Sequence, residues 1–576
     1  MSRPPLQLAL LDAIGPFFRG LNRRRINWSK IPFADLPTDE DGADAFWERL
    51  RADMADIAGK ALEMGFNAIT LDDVAHLVVH PDYEPELRRR TAFLAGQFQG
   101  IVKLFQAAGL KVFVTSDFLV ASPGVIRKIG SSRSAARNFY LGTLGLFFES
   151  FPHVDGVILR VGESDGVDVR DPLCSHLAAK SAPCVNRLLR HVLPLFERLN
   201  KTLVFRTWTV GAFAVGDLIW HRGRLRGVLE GIHSPALVVS MKPGESDFFR
   251  YLPLNRQFFR TDLPKIIELQ ARREYEGAGE FPSFCGWEFE KIAGELKSAG
   301  NVIGISVWCQ TGGWHRFRRL TFLGDRSVWV EMNVVAAMEI FQRGGTAEDA
   351  IAKFFGPGKA GEASEFLRLA DDVIRRLLYI EGFATQKLFF RRVRIPPLIH
   401  VFWDCVLVVE PVREILKRFV EDQPLALCQG EEAFAHFSRM RELASNLDLP
   451  VEDIDFMRDS MEMVLLARRF YFQSFTPETA DGIEAAKSRY KALWPSGRRP
   501  RYRIKTSFEP SALRWPAARW LLRLVLRRRR GYRTVLDRFF TLTLLSWSYR
   551  LVVRSNPKAV PKTLRKAAMG VDAVIR

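Results

Sequence analysis

The stretch "IIELQARREYEGAGEFPSF" (266–284) opens as an apolar run suited to a buried strand. It then carries Glu268, Arg272, Arg273, Glu274, Glu276 and Glu280 within thirteen residues. A core strand that runs straight into charge either surfaces there or delivers those charges to a site. Seven comparable runs precede and follow it. They are "FFRGLN" (17–22), "FNAITLDD" (66–73), "LKVFVTSDF" (110–118), "VDGVILRVGE" (154–163), "KTLVFRTW" (201–208), "PALVVSMK" (235–242) and "NVIGISVWCQ" (301–310). With "LPKIIELQ" (263–270) they make eight, and helical patterns such as "AFWERLRADMADIAGKALEMG" lie between most of them. Strand–helix alternation predicts a parallel sheet. Eight units in about 300 residues predict an α/β fold of the (β/α)8 barrel type. A doubly wound sheet fits less well, since no GxGxxG follows the first strand.

The expected strands end in polar and aromatic residues: Asp72 and Asp73, Asp117, Glu163, Arg206 and Trp208, Lys242, Glu274, then Trp308 and Gln310. Active sites of such barrels lie at these C-terminal strand ends. From about 325 the pattern turns helical, with apolar residues three and four apart. "TAED" has the form of a capping box with Thr346 as the cap. The expected organisation is a barrel over 1–324, an α-helical domain over 325–486 and a basic helical tail over 487–576.

The charge is unevenly placed. The whole chain of 576 residues has a formal net charge of +19, but the last ninety residues hold 24 Lys and Arg against 3 Asp and Glu. The other 486 hold 60 against 62 and are nearly neutral. A basic stretch of this kind suits a polyanionic surface. Within it, "LRWPAARWLLRLVLRRRRGYRTVLDRFFTLTLLSWSYRLVVR" (513–554) mixes Trp, Leu and Arg as interfacial helices do, and its apolar core (539–548) is too short to span a bilayer. An anionic membrane surface is therefore the expected partner of 487–576. A packed subdomain with a solvated basic face is the plainer alternative. No nucleic-acid-binding module is present, so nucleic acid is not an expected partner. A homodimer is compatible with the sequence.

No run of 18 apolar residues is free of charge, and the N-terminus lacks the features of a secretory signal. The six cysteines (174, 184, 285, 309, 405, 428) form no CxxC pair. Reduced thiols and a cytoplasmic location, peripheral on the inner membrane where the tail binds it, are the expectation. His76 and His80 are four apart but lack a zincin pattern, and neither metal nor cofactor is expected.

Three carboxylates stand out: Glu163 in "VGESDG", Asp247 five residues after Lys242, and Glu274 in "REYEG", 27 residues after Asp247. Carboxylates on different strand ends can face one another across a barrel mouth, as glycoside hydrolysis requires. Arg160, Arg206 and Lys242 fall at three neighbouring strand ends and suit an anionic sugar, since arginine can grip a carboxylate with two hydrogen bonds. They could equally neutralise the carboxylates around them. Trp208 and Trp308 could stack on sugar rings or cap the core.

The order and spacing of these residues resemble the α-glucuronidases of glycoside hydrolase family 67, over roughly residues 20–355. The resemblance implies Glu163 as general acid, with Asp247 and Glu274 as the pair that activates water with inversion. It matches Arg206 to the family's strand-five arginine and Arg160 to a lysine ahead of the acid. It differs in having no counterpart of the family's N-terminal β-sandwich in the sixteen residues before the first expected strand. The expected function is thus an inverting exo-glycosidase that releases a terminal uronic acid, α-glucuronic acid, from a glycan. The alternative is a catalytically silent carbohydrate-binding or scaffold protein at the membrane surface.

Overall fold

A computed structural model describes residues 6–19, 30–38, 42–162, 171–179, 181–207, 223–244, 247–310, 318–324, 327–385, 389–390, 393–394, 397–402, 405–509 and part of 547–555. Eight parallel strands close into a barrel: β1 (Leu8–Asp12), β2 (Ala68–Leu71), β3 (Lys111–Asp117), β4 (Gly156–Arg160), β5 (Thr202–Arg206), β6 (Leu237–Met241), β7 (Lys265–Gln270) and β8 (Val302–Trp308). Each pairs with its sequence neighbours, and β8 returns to β1 through Leu8↔Gly304 and Leu11↔Val307. Helices α1 (Ala43–Met64), α2 (Pro85–Ala107), α3 (Arg133–Ser150), α4 (Ala182–Leu199), α5 (Arg224–Leu229) and α6 (Gly286–Glu295) lie between the strands.

The first strand is not where the sequence predicts it. "FFRGLN" (17–22) is not a strand: Gly15–Phe18 forms a 3-10 turn with Pro16 at its start, and Gly20–Asn22 lie outside the described residues. The strand is "LALLD", every residue of which is buried. Its run ends in Asp12 as the other strands end in polar residues, but no helical pattern precedes it to mark it as a unit of the strand–helix alternation.

Inside the barrel the alternation is informative. Leu8, Leu10, Ala68, Phe113, Ile158, Val204, Val238 and Ile266 form one apolar cluster, separate from the main core between strands and helices. These are the inward positions at the floor. Burying such side chains contributes about 1.5–3 kcal/mol each. At two points the floor is too tight for any side chain. A Cβ on Gly304 would lie 1.9 Å from the carbonyl oxygen of Leu8, and one on Gly156 would meet the Phe113 ring at 2.6 Å.

Beyond the barrel, α7 (Val328–Phe341) is apolar around its circumference and almost wholly buried. α8 (Ala347–Phe355) begins with the expected capping box, Thr346 and Asp349 exchanging hydrogen bonds. Helices continue through α9 (Ala360–Val373), α10 (Glu410–Phe419), α11 (Gln423–Ala435), α12 (Phe437–Asn446), α13 (Val451–Phe472) and α14 (Pro477–Leu493). The expected boundary at 486/487 falls inside α14. Strand β9 (Cys405–Val409) then gains a parallel partner late in the chain, β10 (Arg503–Ser507). Residues up to 507 therefore belong to the helical region, not to a separate tail.

Charged groups join this region to the barrel. Buried Asp453 on α13 accepts hydrogen bonds from Arg318, Arg319, Arg499 and the Trp329 indole. Glu280, from the segment after β7, pairs with Arg318 and Arg499 at 3.1 and 2.9 Å. Among the described residues, no helix is long and apolar enough to cross a membrane, no metal-binding cluster occurs, and all six cysteines are free thiols.

Candidate active site

Parity along the strands decides what lines the mouth. Above the floor, at even steps along the strands, the inward positions become mostly polar. The middle layer is Thr70, Thr115, Ser240, Glu268 and Ser306. The upper layer is Asp12, Asp72, Asp117, Arg160, Arg206, Lys242, Gln270 and Trp308. All of these are buried. A charge removed from water costs several kcal/mol unless it is paired, so the pairing within this ring is what allows it to exist.

On the β1–β4 side, the Asp117 carboxylate accepts from Arg160, from Ser175 and from Lys30, the last at 2.7 Å. Burial alone would raise its pKa, but Arg160 and Lys30 hold it well below the usual carboxylate range. Asp72 accepts from the Thr115 hydroxyl and from the Ile31 amide at 3.0 Å, and burial raises its pKa. Asp12 accepts from the amides of Cys309 and Gln310 across the β1–β8 seam, and burial pushes its pKa up to about 6. His76 bridges Asp73 and Asp171 at 3.0 and 3.1 Å and stacks on Phe33. Burial opposes its charge, yet the two aspartates raise its pKa to about 9. His80 instead packs on Phe139 and Tyr83, so the two histidines form no shared site.

On the β5–β7 side, Glu268 accepts from Arg206 Nε at 2.9 Å and from Ser240 at 2.8 Å. The Arg206 guanidinium lies 4.6 Å over the Trp308 ring, so one face of that ring is already occupied. Asp247 accepts from Lys242, from the Tyr275 hydroxyl at 2.9 Å and from the Phe248 amide at 2.9 Å. Glu274 is buried, and its amide donates to Gln270 at 3.0 Å. Burial, and then the opposing charge of Asp247, push its pKa up to about 8. The two acids thus differ in kind. Asp247 is surrounded by donors that suit a carboxylate, while Glu274 keeps its proton at neutral pH. An acid and a base held side by side by unlike surroundings is an arrangement suited to proton transfer.

The mouth therefore brings together Asp247, Glu274, Arg160, Arg206, Lys242 and Trp308. Glu163 and Trp208 lie outside the described residues. The remaining charges of the 266–284 stretch are not loop surface. Arg272 is held by backbone carbonyls and Thr321, and Glu276 accepts from Arg250, Arg273, Tyr379 and Ser283. Sequence reasoning gave no role to Glu268, Tyr275 or Lys30. Glu268 could have been found by parity, since it lies two residues before Gln270 on the inward face. Nothing in the sequence pairs Lys30 with Asp117.

The fold and the polar strand ends define a (β/α)8 barrel with a carboxylate-bearing mouth. No family model matches the chain, and no curated protein matches it. Solved structures do. A GH138 enzyme targeting pectin rhamnogalacturonan II superposes with a TM-score of 0.51 at 12 % identity, over 97 % of this chain and 69 % of that one. Looser matches are a mutant O-GlcNAc hydrolase of Thermobaculum terrenum (TM-score 0.38, 11 % identity, 90 % of this chain and 96 % of that one) and CpGH84B (0.39, 9 %, 85 % and 73 %). These structural neighbours are glycoside hydrolases, and none of the three is a family 67 enzyme. At these identities the likeness is one of fold.

Proposed function

We propose that the chain is a glycoside hydrolase that releases a terminal uronic acid, α-glucuronic acid, from a glycan with inversion. The observation that carries this reading is the unlike pair Asp247 and Glu274 in a cation-bearing barrel mouth. Asp247 takes the proton of the attacking water. Glu274, itself protonated, hydrogen-bonds and orients that water. Glu163 protonates the leaving oxygen from the opposite side of the sugar, and the inverting geometry needs about 6.5–9.5 Å between acid and base. Arg206 supports the anionic substrate. Glu268 holds its Nε, and its two terminal nitrogens carry no hydrogen bond among the described residues. They suit a sugar carboxylate.

One observation favours the silent carbohydrate-binding reading. Each of the three mouth cations already has a carboxylate partner: Arg160 with Asp117, Arg206 with Glu268 and Lys242 with Asp247. The deciding experiment follows the anomer released from glucuronic-acid-capped oligosaccharides by proton NMR. The wild type is expected to release β-glucuronic acid first, and Glu163→Gln is expected to lose about 10²–10⁴-fold in rate. A wild type that releases no sugar, with Glu163→Gln altering only binding, would establish the silent reading. The basic segment beyond 509 would hold the enzyme on an anionic membrane surface at the cytoplasmic face. Its described part exposes Trp547 and Leu551, four residues apart and so on one helical face.

A further inference from the structure

Asp247 and Glu274 stand on different loops, and a buried charge cluster ties the two loops together. Arg250, three residues after Asp247, donates from Nε and Nη2 to the two oxygens of Glu276, two residues after Glu274, at 3.0 and 2.9 Å. Arg273, on the other side of Glu274, grips the same carboxylate at 3.1 and 2.7 Å. The Glu276 amide also donates to the Arg273 carbonyl at 2.9 Å, so Glu274 lies within a turn closed twice. From that turn the Tyr275 hydroxyl reaches Asp247 directly, at 2.9 Å. The Tyr379 hydroxyl accepts from the Arg250 amide at 3.2 Å and donates to Glu276 at 3.1 Å, and so touches both loops. Asp371 on α9 takes Nη1 of Arg250, and Glu288 on α6 pairs with Arg273 at 3.3 Å. Arg250, Arg273, Glu276 and Tyr379 are all buried.

We infer that Arg250, Glu276 and Tyr379 are positioning residues that fix the spacing of Asp247 and Glu274, which makes the helical region a working part of the active site. The inference deepens the proposed function and rests on it for the roles of the two acids. A buried ion cluster is a costly way to join two loops. Apolar residues of the same size often hold as well or better, since they desolvate no charge. What the charges add is direction, because guanidinium and carboxylate forks meet within a narrow range of geometry. The backbone points the same way. Tyr251, next to Arg250, and Arg273, next to Glu274, hold left-handed backbone at φ 67° and 42°. Non-glycine residues adopt that conformation at a cost, and such strain gathers at functional sites. Tyr379 follows a π-helical turn (Ile374–Leu378), and buried Arg468 holds the carbonyls of Leu377 and Tyr379 at 2.6 and 2.7 Å. Its hydroxyl is thus presented from a fixed backbone. The spacing matters for the chemistry. After burial, the charge of Asp247 is what keeps the proton on Glu274, while Lys242, Tyr275 and Gln270 oppose it.

The test uses the full chain and two conservative variants, with thermal melts as a check of folding. Arg250→Lys keeps the charge and loses the fork. Tyr379→Phe removes only the bridging hydroxyl, and it carries the test if Arg250→Lys does not fold. Two readouts are followed: kcat and KM for uronic-acid release across pH, and titration of the Glu274 carboxyl by infrared difference against Glu274→Gln. Each variant is expected to lower kcat by about tenfold or more with KM within about twofold of the wild type. A displaced Asp247 holds the Glu274 proton less well. The alkaline limb of the rate and the infrared titration, both at about pH 8 in the wild type, are therefore expected to move together to lower pH, by about half a unit or more. Folded variants that melt earlier yet keep the wild-type kcat and titration would overturn the inference and leave the cluster a brace of the fold. A wild type that releases no sugar would overturn the function proposed for the mouth. The infrared titration would then decide alone: a shift in the variants supports the positioning role, and an unmoved titration sinks it.

Discussion

Glu274 is buried beside a carboxylate that opposes its charge, and this sets how the fold responds to pH. Its pKa is raised from the ordinary 4.5 to about 8. The folded state therefore binds this proton more tightly than the unfolded state does. Stability falls as pH climbs from about 4.5 to about 8, and the loss is complete above that. Glu274→Gln removes the titration. Thermal melts across pH should show the variant level with the wild type near pH 4.5 and more stable than it at pH 9, by up to a few kcal/mol. The same substitution should lower kcat by about 10²-fold or more. Stability gained where activity is lost would mark a residue kept for chemistry. A variant equally or less stable at pH 9 would show that the carboxyl is not held protonated.

The barrel strands are held at their closest approach by absent side chains. Gly304 on β8 has no space for a methyl group against the Leu8 carbonyl of β1. Gly304→Ala should force the two strands apart and cost about 3 kcal/mol or more, read from urea denaturation. A change below about 0.5 kcal/mol would show that the seam yields. The strands themselves were largely legible in the sequence. "LKVFVTSDF" and "LPKIIELQ" are short apolar runs ending in charge, and each holds the strand it predicts. β1 was not legible although its run ends in charge like the others, because it sat where a leader segment would, with no helical pattern before it. Around the mouth, Arg160, Arg206 and Lys242 could be placed from the sequence because they stand at strand ends, whereas Asp247 and Glu274 lie six and four residues past theirs. Lys30 and Tyr275 could not be placed, since their roles depend on loop paths that no local pattern encodes. The burial of Glu276 and Glu280 was equally hidden. Charged residues are normally exposed, and partners distant in sequence, Arg250 for Glu276 and Arg499 for Glu280, help make their burial tenable.

For the whole molecule, the position of the last strand separates folding from attachment. β10 pairs with β9, and Arg499 is buried against Asp453 and Glu280. Removal of everything after Glu509 should leave the melting temperature unchanged within about 2 °C and abolish binding to anionic phosphatidylserine vesicles. Removal from 487 should unfold the helical region. A chain ending at 509 that still sediments with the vesicles would place lipid binding on the folded body. The barrel's inward parity has a bearing on how such a protein can diverge. Every mouth residue carried on a strand stands an even number of positions above the apolar floor, so inserting one residue below it would turn the acids into the helix layer and the leucines into the mouth. Insertions within strands are thus disfavoured unless the register shifts to absorb them, as it does between Val302 and Gly304 on β8, while the segments after the strands can lengthen. Substrate preference in this lineage can drift through its loops, and the inward residues that set the mouth's charge stay in register.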